Sequence, residues 1–416
     1  MKNLLCILLC CTFLTACSSD KRIAPKEGRI SLSPQAELVS TKKNIQLDTA
    51  KNPSEWGHLY QNAQNKHPHI QGITNKTKLW TVDIGANYSE PVPQSPIVVS
   101  NDAVYTLDGA FGVSKIDKKT GQSVWHKKLP VSSGKGIGLT TDGNQIFVIF
   151  DQGTLVALKS DGEIAWQKEL AMPIRTTPTF NNRLLFVLSA KNVILALDKK
   201  TGKEVWRYQT TPSDTFLQGM AHPALSQNIL IVPFTTGEVI AFDAASGMLI
   251  WSQTMIGNQL EDLYELPHIL AAPVISGNTV YLAGNANLLG AYNLQTGQTK
   301  WTHNIGSVVT PVLSGNVLFV LSKNNHLLAL EATTGRIFWD KEIPHNKKTN
   351  WQELGLTDNH LVLYSDDKEL YIDSKSGEIQ QELDKKNIIA GPISTENTIF
   401  YLTNRAKLQS YQQVTK

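Results

Sequence analysis

Short apolar runs, each interrupted by a polar turn rich in Asn, Gly or Asp, succeed one another along most of the chain. SPIVVSNDAVYTL (95–107), TPTFNNRLLFVL (177–188), HPALSQNILIVPF (222–234), APVISGNTVYLAG (272–284), TPVLSGNVLFVLS (310–322) and GPISTENTIFYLT (391–403) share this plan. Runs of this length, rich in β-branched and aromatic residues and bounded by turn formers, predict a strand, a hairpin and a second strand. A third strand follows, as in NVILALD (192–198), and a fourth, as in KEVW (203–206).

Between the third and fourth strands the chain repeats itself. ALDKKTGKEVW (196–206), AFDAASGMLIW (241–251), AYNLQTGQTKW (291–301) and ALEATTGRIFW (329–339) are four copies of one signature. Aligning on the turn glycine gives Gly121, Gly162, Gly202, Gly247, Gly297, Gly335 and Gly377, 38 to 50 residues apart. A period near 40 residues indicates a propeller or a solenoid. Four residues after each glycine stands Trp125, Trp166, Trp206, Trp251, Trp301 or Trp339, and only the last copy departs, with Gln381. Asp198 is placed to bond the backbone N–H groups of its turn, and Gly202 to take the positive φ. The second copy, ALKSDGEIAW, is one residue short before Gly162, which a tighter turn should absorb.

Counting closes the ring. Residues Ile388–Tyr411 hold three strands without a signature, while KLWTVDIG around Trp80 is an unpaired segment ahead of the first unit. Trp80 should therefore supply the missing outer strand. The expected fold is all-β: an eight-bladed propeller of four-stranded antiparallel blades over residues 54–416, closed by pairing of an N-terminal strand with the C-terminal blade, which leaves the ring no open end.

Composition narrows the function. Of 416 residues 18% are charged and the formal net charge is +3, with Lys and Arg interspersed among Asp and Glu. Nucleic acid is excluded as the main partner, because phosphate binding needs a concentrated basic face. All four cysteines, Cys6, Cys10, Cys11 and Cys17, precede residue 18. A Lys, then LLCILLCCTFL, then small residues read as a signal peptide over 1–16, too short for a permanent span. LTAC (14–17) resembles the bacterial lipobox, which implies a lipid on Cys17; several acyl chains would anchor the protein firmly. A signal cut after Ala16 with an incidental Cys17 is the alternative. Residues 17–53 are polar and poor in aromatics and are expected to form a flexible tether.

The signature A-x-[DN]-x-x-[TS]-G-x-x-x-W at this period is similar to the repeat of PQQ-type propellers, which include quinoprotein dehydrogenases and non-enzymatic relatives. With the lipobox, GRISL (28–32) and PIRTTPTF (173–180), the chain resembles the BamB family of outer membrane protein assembly lipoproteins. WGHLYQNAQNKHPHIQGI (56–73) resembles the alphaproteobacterial branch. The resemblance implies a non-enzymatic scaffold of the BAM complex, lipid-anchored at the periplasmic face of the outer membrane. It would bind the POTRA domains of BamA as a monomer within a hetero-complex. The family's contact loops map to TFLQGMAHP (215–223) and NQLEDLYELPHI (258–269). Phe216 and Leu217 would be apolar anchors, Asp262 and Glu265 would meet basic groups at the rim, and Gln218 stands where the family has Arg. Ordinary inter-blade loops are the alternative reading of both stretches.

Other chemistry finds little support. PQQ dehydrogenases typically set adjacent cysteines against the cofactor, and the chain after Cys17 contains no cysteine. One Trp per blade is explained by burial of a large aromatic surface. SGKGIGLTTDG (133–143) matches neither phosphate-loop pattern and reads as a connection between blades. His67 and His69 flank a proline without a third ligand at metal spacing. The remaining histidines lie dispersed with no nucleophile motif. No catalytic residue, metal or cofactor is expected. A propeller binding cell-wall glycan or another envelope protein is the runner-up, and a PQQ-dependent dehydrogenase the third reading.

Overall fold

The computed structural model describes residues 44–72, 76–89, 93–212, 221–257, 266–344, 351–365, 368–384 and 387–413, and their regular structure is entirely β. Eight sheets, each built on four antiparallel strands, form the blades of a propeller; seven are meanders, the eighth takes its outer strand from earlier in the chain, and His69–Ile70 adds a short parallel strand to the inner strand of blade seven, Glu353–Thr357. Blade three shows the plan: Thr179–Phe180 innermost, then Leu184–Leu188, Val193–Asp198 and, at the rim, Glu204–Gln209. Its two middle strands, LLFVL and VILALD, are buried almost throughout because a neighbouring blade covers each face. Apolar runs without alternation are what two-sided burial requires. The rim strand EVWRYQ alternates between exposed and half-buried positions instead.

The core therefore lies between blades. Leu184, Phe186 and Ile194 of blade three pack with Leu225, Leu230, Val232 and Phe242 of blade four, and comparable clusters recur around the ring. Ring closure occurs as the sequence implied. Lys76–Asp83, carrying Trp80, pairs antiparallel with Lys407–Gln413 and becomes the rim strand of blade eight, with Trp80 opposite Ser410. Lys407 Nζ reaches Asp83 Oδ2 at 2.6 Å beside this seam.

Each signature Trp joins two blades. The Nε1–H of Trp206 donates to Ala244 O at 3.0 Å in the next blade, and Trp166 and Trp251 donate likewise to Lys199 O and Leu294 O at 3.0 and 2.8 Å. The indole also rests on the next blade's turn glycine, so that a Cβ on Gly202 would lie 2.7 Å from Trp166. Gly202 has φ of 68°, and Asp198 Oδ1 accepts from Thr201 N at 2.9 Å and Thr201 Oγ1 at 2.8 Å. These bonds hold the Asp198 carboxyl below its ordinary pKa, the Thr201 hydroxyl having the largest effect. The short second copy closes more tightly: Gly162 N bonds Lys159 O, three residues back, where Gly202 N bonds Asp198 O, four back.

Gln381 has a structural explanation. A tryptophan there would need a signature turn in blade eight to rest on, but that blade's third and fourth strands come from opposite ends of the chain and no turn joins them. Within blade eight, Lys76 on the rim strand donates from Nζ to Tyr401 Oη at 2.7 Å and sits 4.2 Å from the centre of that ring. One local expectation fails. The glycine-rich stretch read as a connection contains Gly136–Thr141, the inner strand of blade two. Inner strands crowd at the hub, and a Cβ on Gly138 would come within 2.8 Å of Ser95 O, so glycine here permits close approach of backbone.

Two alanine substitutions separate turn strain from the inter-blade contact. Gly143 has φ of 83° with nothing within 4 Å of an added Cβ. Gly143→Ala should cost only about 1–2 kcal/mol of left-handed strain. Gly202→Ala should cost roughly 1–3 kcal/mol more, because its methyl collides with Trp166. Urea unfolding midpoints of the two variants measure the difference.

Candidate functional site

A propeller's inner strands converge on a hub, and their last N–H groups, near the hairpin leading to the second strand, face it without a sheet partner. In this protein the chain itself supplies acceptors. Residues 44–72, ahead of the closing strand, pass around the hub and offer backbone carbonyls in turn. Gln46 O accepts from Asn316 N of blade six, Pro53 O from Glu396 N of blade eight, Trp56 O from Val99 N of blade one and Gly57 O from Thr141 N of blade two. Ala63 O accepts from Leu225 N of blade four, Gln64 O from Ile275 N of blade five and Ile70 O from Asp358 N of blade seven. Blade three is met through His58, whose ring stacks on Phe180 with centroids 4.3 Å apart. Every blade is thereby touched at the hairpin end of its inner strand.

The expected boundary between tether and propeller, at Pro53, is corrected by these contacts. Asp48 N donates to Ser314 Oγ at 2.9 Å and Lys51 N to His69 O at 2.8 Å, so residues 44–53 belong to the packed structure. Their polar composition reflects the partners they meet, which are hub N–H and hydroxyl groups, and composition alone does not distinguish that from solvation.

At the deepest point Asn65, with φ of 54°, is buried and its Nδ2 lies 3.2 Å from each of His222 O, Pro223 O and Pro273 O. Around it stand Tyr60, His67 and His222. Tyr60 Oη accepts from Thr310 Oγ1 at 3.0 Å, and the Tyr60 ring meets His67 and His222 edge-on at 5.0 and 6.1 Å. His222 Nδ1 lies 3.2 Å from Thr177 Oγ1 and Nε2 lies 3.1 Å from Gln94 Oε1. Burial pushes the His58, His67 and His222 imidazoles down to about 4, and repulsion from His222 adds to the effect on His58. Burial likewise pushes the Tyr60 hydroxyl up to about 12. These three imidazoles and the phenol are thus held neutral near pH 7.

His67 and His69 do not converge on a common point. His67 Nε2 is 3.4 Å from Glu353 Oε1, whereas His69 Nε2 is 2.5 Å from Asp358 O and its Nδ1 faces Ser314 Oγ at 3.3 Å. Among the described residues no group of three or more His, Cys, Asp or Glu side chains is placed to hold a metal ion, and no helix is long and apolar enough to cross a membrane. Asn65, Thr310, Tyr60, Thr177, Gln94 and His222 engage one another or nearby carbonyls, while His67 Nε2 is buried without a hydrogen-bond partner among the described residues.

The expected contact residues Phe216, Leu217, Gln218, Asp262 and Glu265, and the expected lipidation site Cys17, lie outside the described residues. The chain enters blade four after the first of these loops and leaves it before the second, so that blade, with inner strand Ala224–Ser226 and rim strand Leu249–Thr254, lies between them in sequence. Arg175, in the connection from blade two to blade three, is exposed between buried Ile174 and Thr176.

A surface feature not anticipated from the repeat lies on blade four. Its rim strand, LIWSQT, contains no Lys, Arg, Asp or Glu, while each of the other seven rim strands contains at least one. Met248, Leu249 and Ile250 are 70%, 50% and 41% exposed in succession. Charged side chains are the ordinary guard of an open sheet edge, and this edge lacks them. The signal was present in the sequence as the one signature copy followed by three apolar residues.

Residues 109–341 match the family model described as outer membrane protein assembly factor BamB. The BamB of Yersinia pestis is 26% identical over 253 residues, covering 58% of this chain and 64% of that protein, so the match spans less than two thirds of the relative's length. Among solved structures, the BamB of Moraxella catarrhalis is similar with a TM-score of 0.67 at 17% identity, over 81% of this chain and 100% of that one. The quinohemoprotein alcohol dehydrogenase of Comamonas testosteroni reaches the same TM-score, 0.67, at 10% identity, over 88% of this chain and 82% of that one. At these identities both structures speak to the fold.

The Asn65 cluster makes a stability prediction. Asn65→Ala should cost about 1–3 kcal/mol, because it strips buried carbonyls of their donor. Asn65→Asp should cost more near neutral pH, since it sets an acceptor-only carboxylate against three carbonyl oxygens. Chemical denaturation of the two variants provides the ranking.

Proposed function

We propose, from the premise that this chain belongs to the outer membrane protein assembly factor BamB family, that it is a non-enzymatic scaffold of the BAM complex. In this reading it is lipid-anchored through Cys17 at the periplasmic face of the outer membrane and binds the POTRA domains of BamA as a single copy. The observation that carries the reading is the filled hub. Residues 44–72 hold the inner-strand N–H groups of blades one, two, four, five, six, seven and eight. A propeller whose centre is taken by its own backbone acts through its rim and faces.

Blade four is the favoured side. In sequence it lies between the stretch with Phe216, Leu217 and Gln218 and the stretch with Asp262 and Glu265. Its uncharged rim strand adds exposed apolar surface at Met248, Leu249 and Ile250. Exposed apolar area flanked by polar groups is the usual composition of a docking site. Leu217 and Phe216 would be its anchors, and Asp262 and Glu265 its charged edge. With Gln218 where the family has Arg, the charged fork is absent, and apolar contact takes a larger share of the affinity.

Capture of BamA from solubilised membranes tests this. Leu217→Ala combined with Asp262→Ala should reduce co-purification at least about ten-fold, the size expected when a hot-spot residue is lost. Ile250→Lys should reduce it by a smaller factor. Both variants should keep the wild-type circular dichroism spectrum. Undiminished capture by the folded double variant would refute the assignment of the site.

A further inference from the structure

The circuit made by residues 44–72 meets the blades at the hub ends of their inner strands. Hydrogen bonds hold it there, doubled at Trp56–Val99 and continued as a short parallel pairing of His69–Ile70 with Leu356–Thr357, together with burial of Trp56 and Ile70 and a group of rings at its centre. Three of those rings are imidazoles. His58 and His67 belong to the circuit itself, and His222 belongs to the connection entering blade four.

We infer that residues 44–72 form a pH-released strap, closed over the hub while His58, His67 and His222 are neutral and lifted from it when they are protonated, with the eight-bladed ring intact beneath. The surroundings of each imidazole decide the direction. His222 faces neutral partners, Thr177, Gln94 and Tyr60, so a proton placed on it has no counter-charge. His58 faces Phe180, behind which Lys199 is paired with Asp142, and it is repelled by a charged His222. His67 faces Tyr60 and has one carboxylate, Glu353, at 3.4 Å. Glu353 is 48% exposed, which leaves its charge screened by water and able to offset only part of the cost of burying a cation.

The sign follows from linkage. Each imidazole is held at about 4 in the closed strap, below its ordinary 6.5. The released strap therefore binds protons first. The closed form keeps its full advantage above pH 6.5 and loses it progressively as pH falls towards 4. At about pH 5 each imidazole with that displacement favours release about twenty-fold relative to neutral pH. His222 and His67, the more buried, should contribute most, with His67 moderated by Glu353. The ring has its own closure, through Lys76–Asp83 and Lys407–Gln413, in which no histidine takes part.

Amide hydrogen exchange on the full chain, at about pH 7 and about pH 5 with intrinsic rates corrected, reads this directly. The amides of Val99, Thr141, Leu225, Ile275, Asn316 and Asp358 each donate to a strap carbonyl. Their protection should fall at least ten-fold at the lower pH while the strand Val193–Asp198 keeps its own. Equal loss in both sets, or loss in neither, overturns the inference. A variant combining His58→Phe, His67→Gln and His222→Gln should retain strap protection at both pH values, and persistence of the pH effect in the folded variant would also overturn it. If that variant does not fold, the selective loss in the natural chain still decides. BamA capture near neutral pH is a separate measurement, so failure here leaves the docking assignment to its own test.

Discussion

An indole seated on a glycine in the next blade, with its N–H bonded to a carbonyl of the same turn, is the contact from which the architecture follows. Trp125, Trp166, Trp206, Trp251, Trp301 and Trp339 each donate across a blade boundary, at 2.8 to 3.2 Å. The contact needs a turn without a side chain at one position, an aromatic with a donor at another, and a fixed offset between blades. Those needs write the repeat into the chain, because a slip of one residue in the rim strand would turn the indole to the opposite face. They also account for the exception. Trp80 rests on Gly121 and begins the series, Trp339 rests on Gly377 and ends it, and Gln381 precedes a blade that has no turn to receive a ring. The series is open by one contact because a linear chain must have two ends.

The parts of the fold legible in the sequence were those imposed by this periodic contact. Blade number, the Asp198 turn, the shortened turn at Gly162 and the recruitment of Trp80 to the last blade all follow from local spacing. The parts that were not legible involve positions distant in sequence and without periodicity. Residues 44–53 look like tether because their bonds go to Ser314, Asn316 and Glu396, hundreds of residues later. Gly136–Thr141 looks like a connection because its glycines answer to crowding at the hub, where Ser95 and Thr177 press on the backbone. The candidate contact loops posed a different problem. Their assignment rested on resemblance, and the residues concerned lie outside those described, so the feature that singles out blade four had to be read from its rim strand.

The contents of the hub bear on what a shared fold means. This protein and the Comamonas testosteroni dehydrogenase have similar blades, yet fold alone does not carry function. What distinguishes a propeller chemically is what its inner strands face. Here they face Trp56, Gly57, Ala63, Gln64 and Ile70, and the buried Asn65 spends its donors on the protein's own carbonyls. One hub N–H group in each of seven blades is satisfied by a carbonyl of the chain itself. Unsatisfied hydrogen-bonding capacity and open apolar surface are what draw a partner, and on blade four the latter remains outside, at Met248, Leu249 and Ile250.

The two ways in which this chain secures its ring differ in physics, and the difference has consequences. Pairing of Lys76–Asp83 with Lys407–Gln413 is a sheet ladder backed by apolar burial of Phe400, Leu402 and Leu408, a cooperative unit that opens only with the blade. The strap's hydrogen bonds are spread over the ring, doubled at Trp56–Val99 and joined in a short parallel pairing at His69–Ile70, each worth about 0.5–1.5 kcal/mol net of the water it replaces. Interactions so distributed can be lost together only if something acts on all of them, and a charge placed at their common centre does so, because burying it penalises the whole closed form. A ladder has no comparable point of attack. On this reading the strap parts from the ring when the three imidazoles are charged, and while they are neutral its hydrogen bonds and the burial of Trp56 and Ile70 hold it in place.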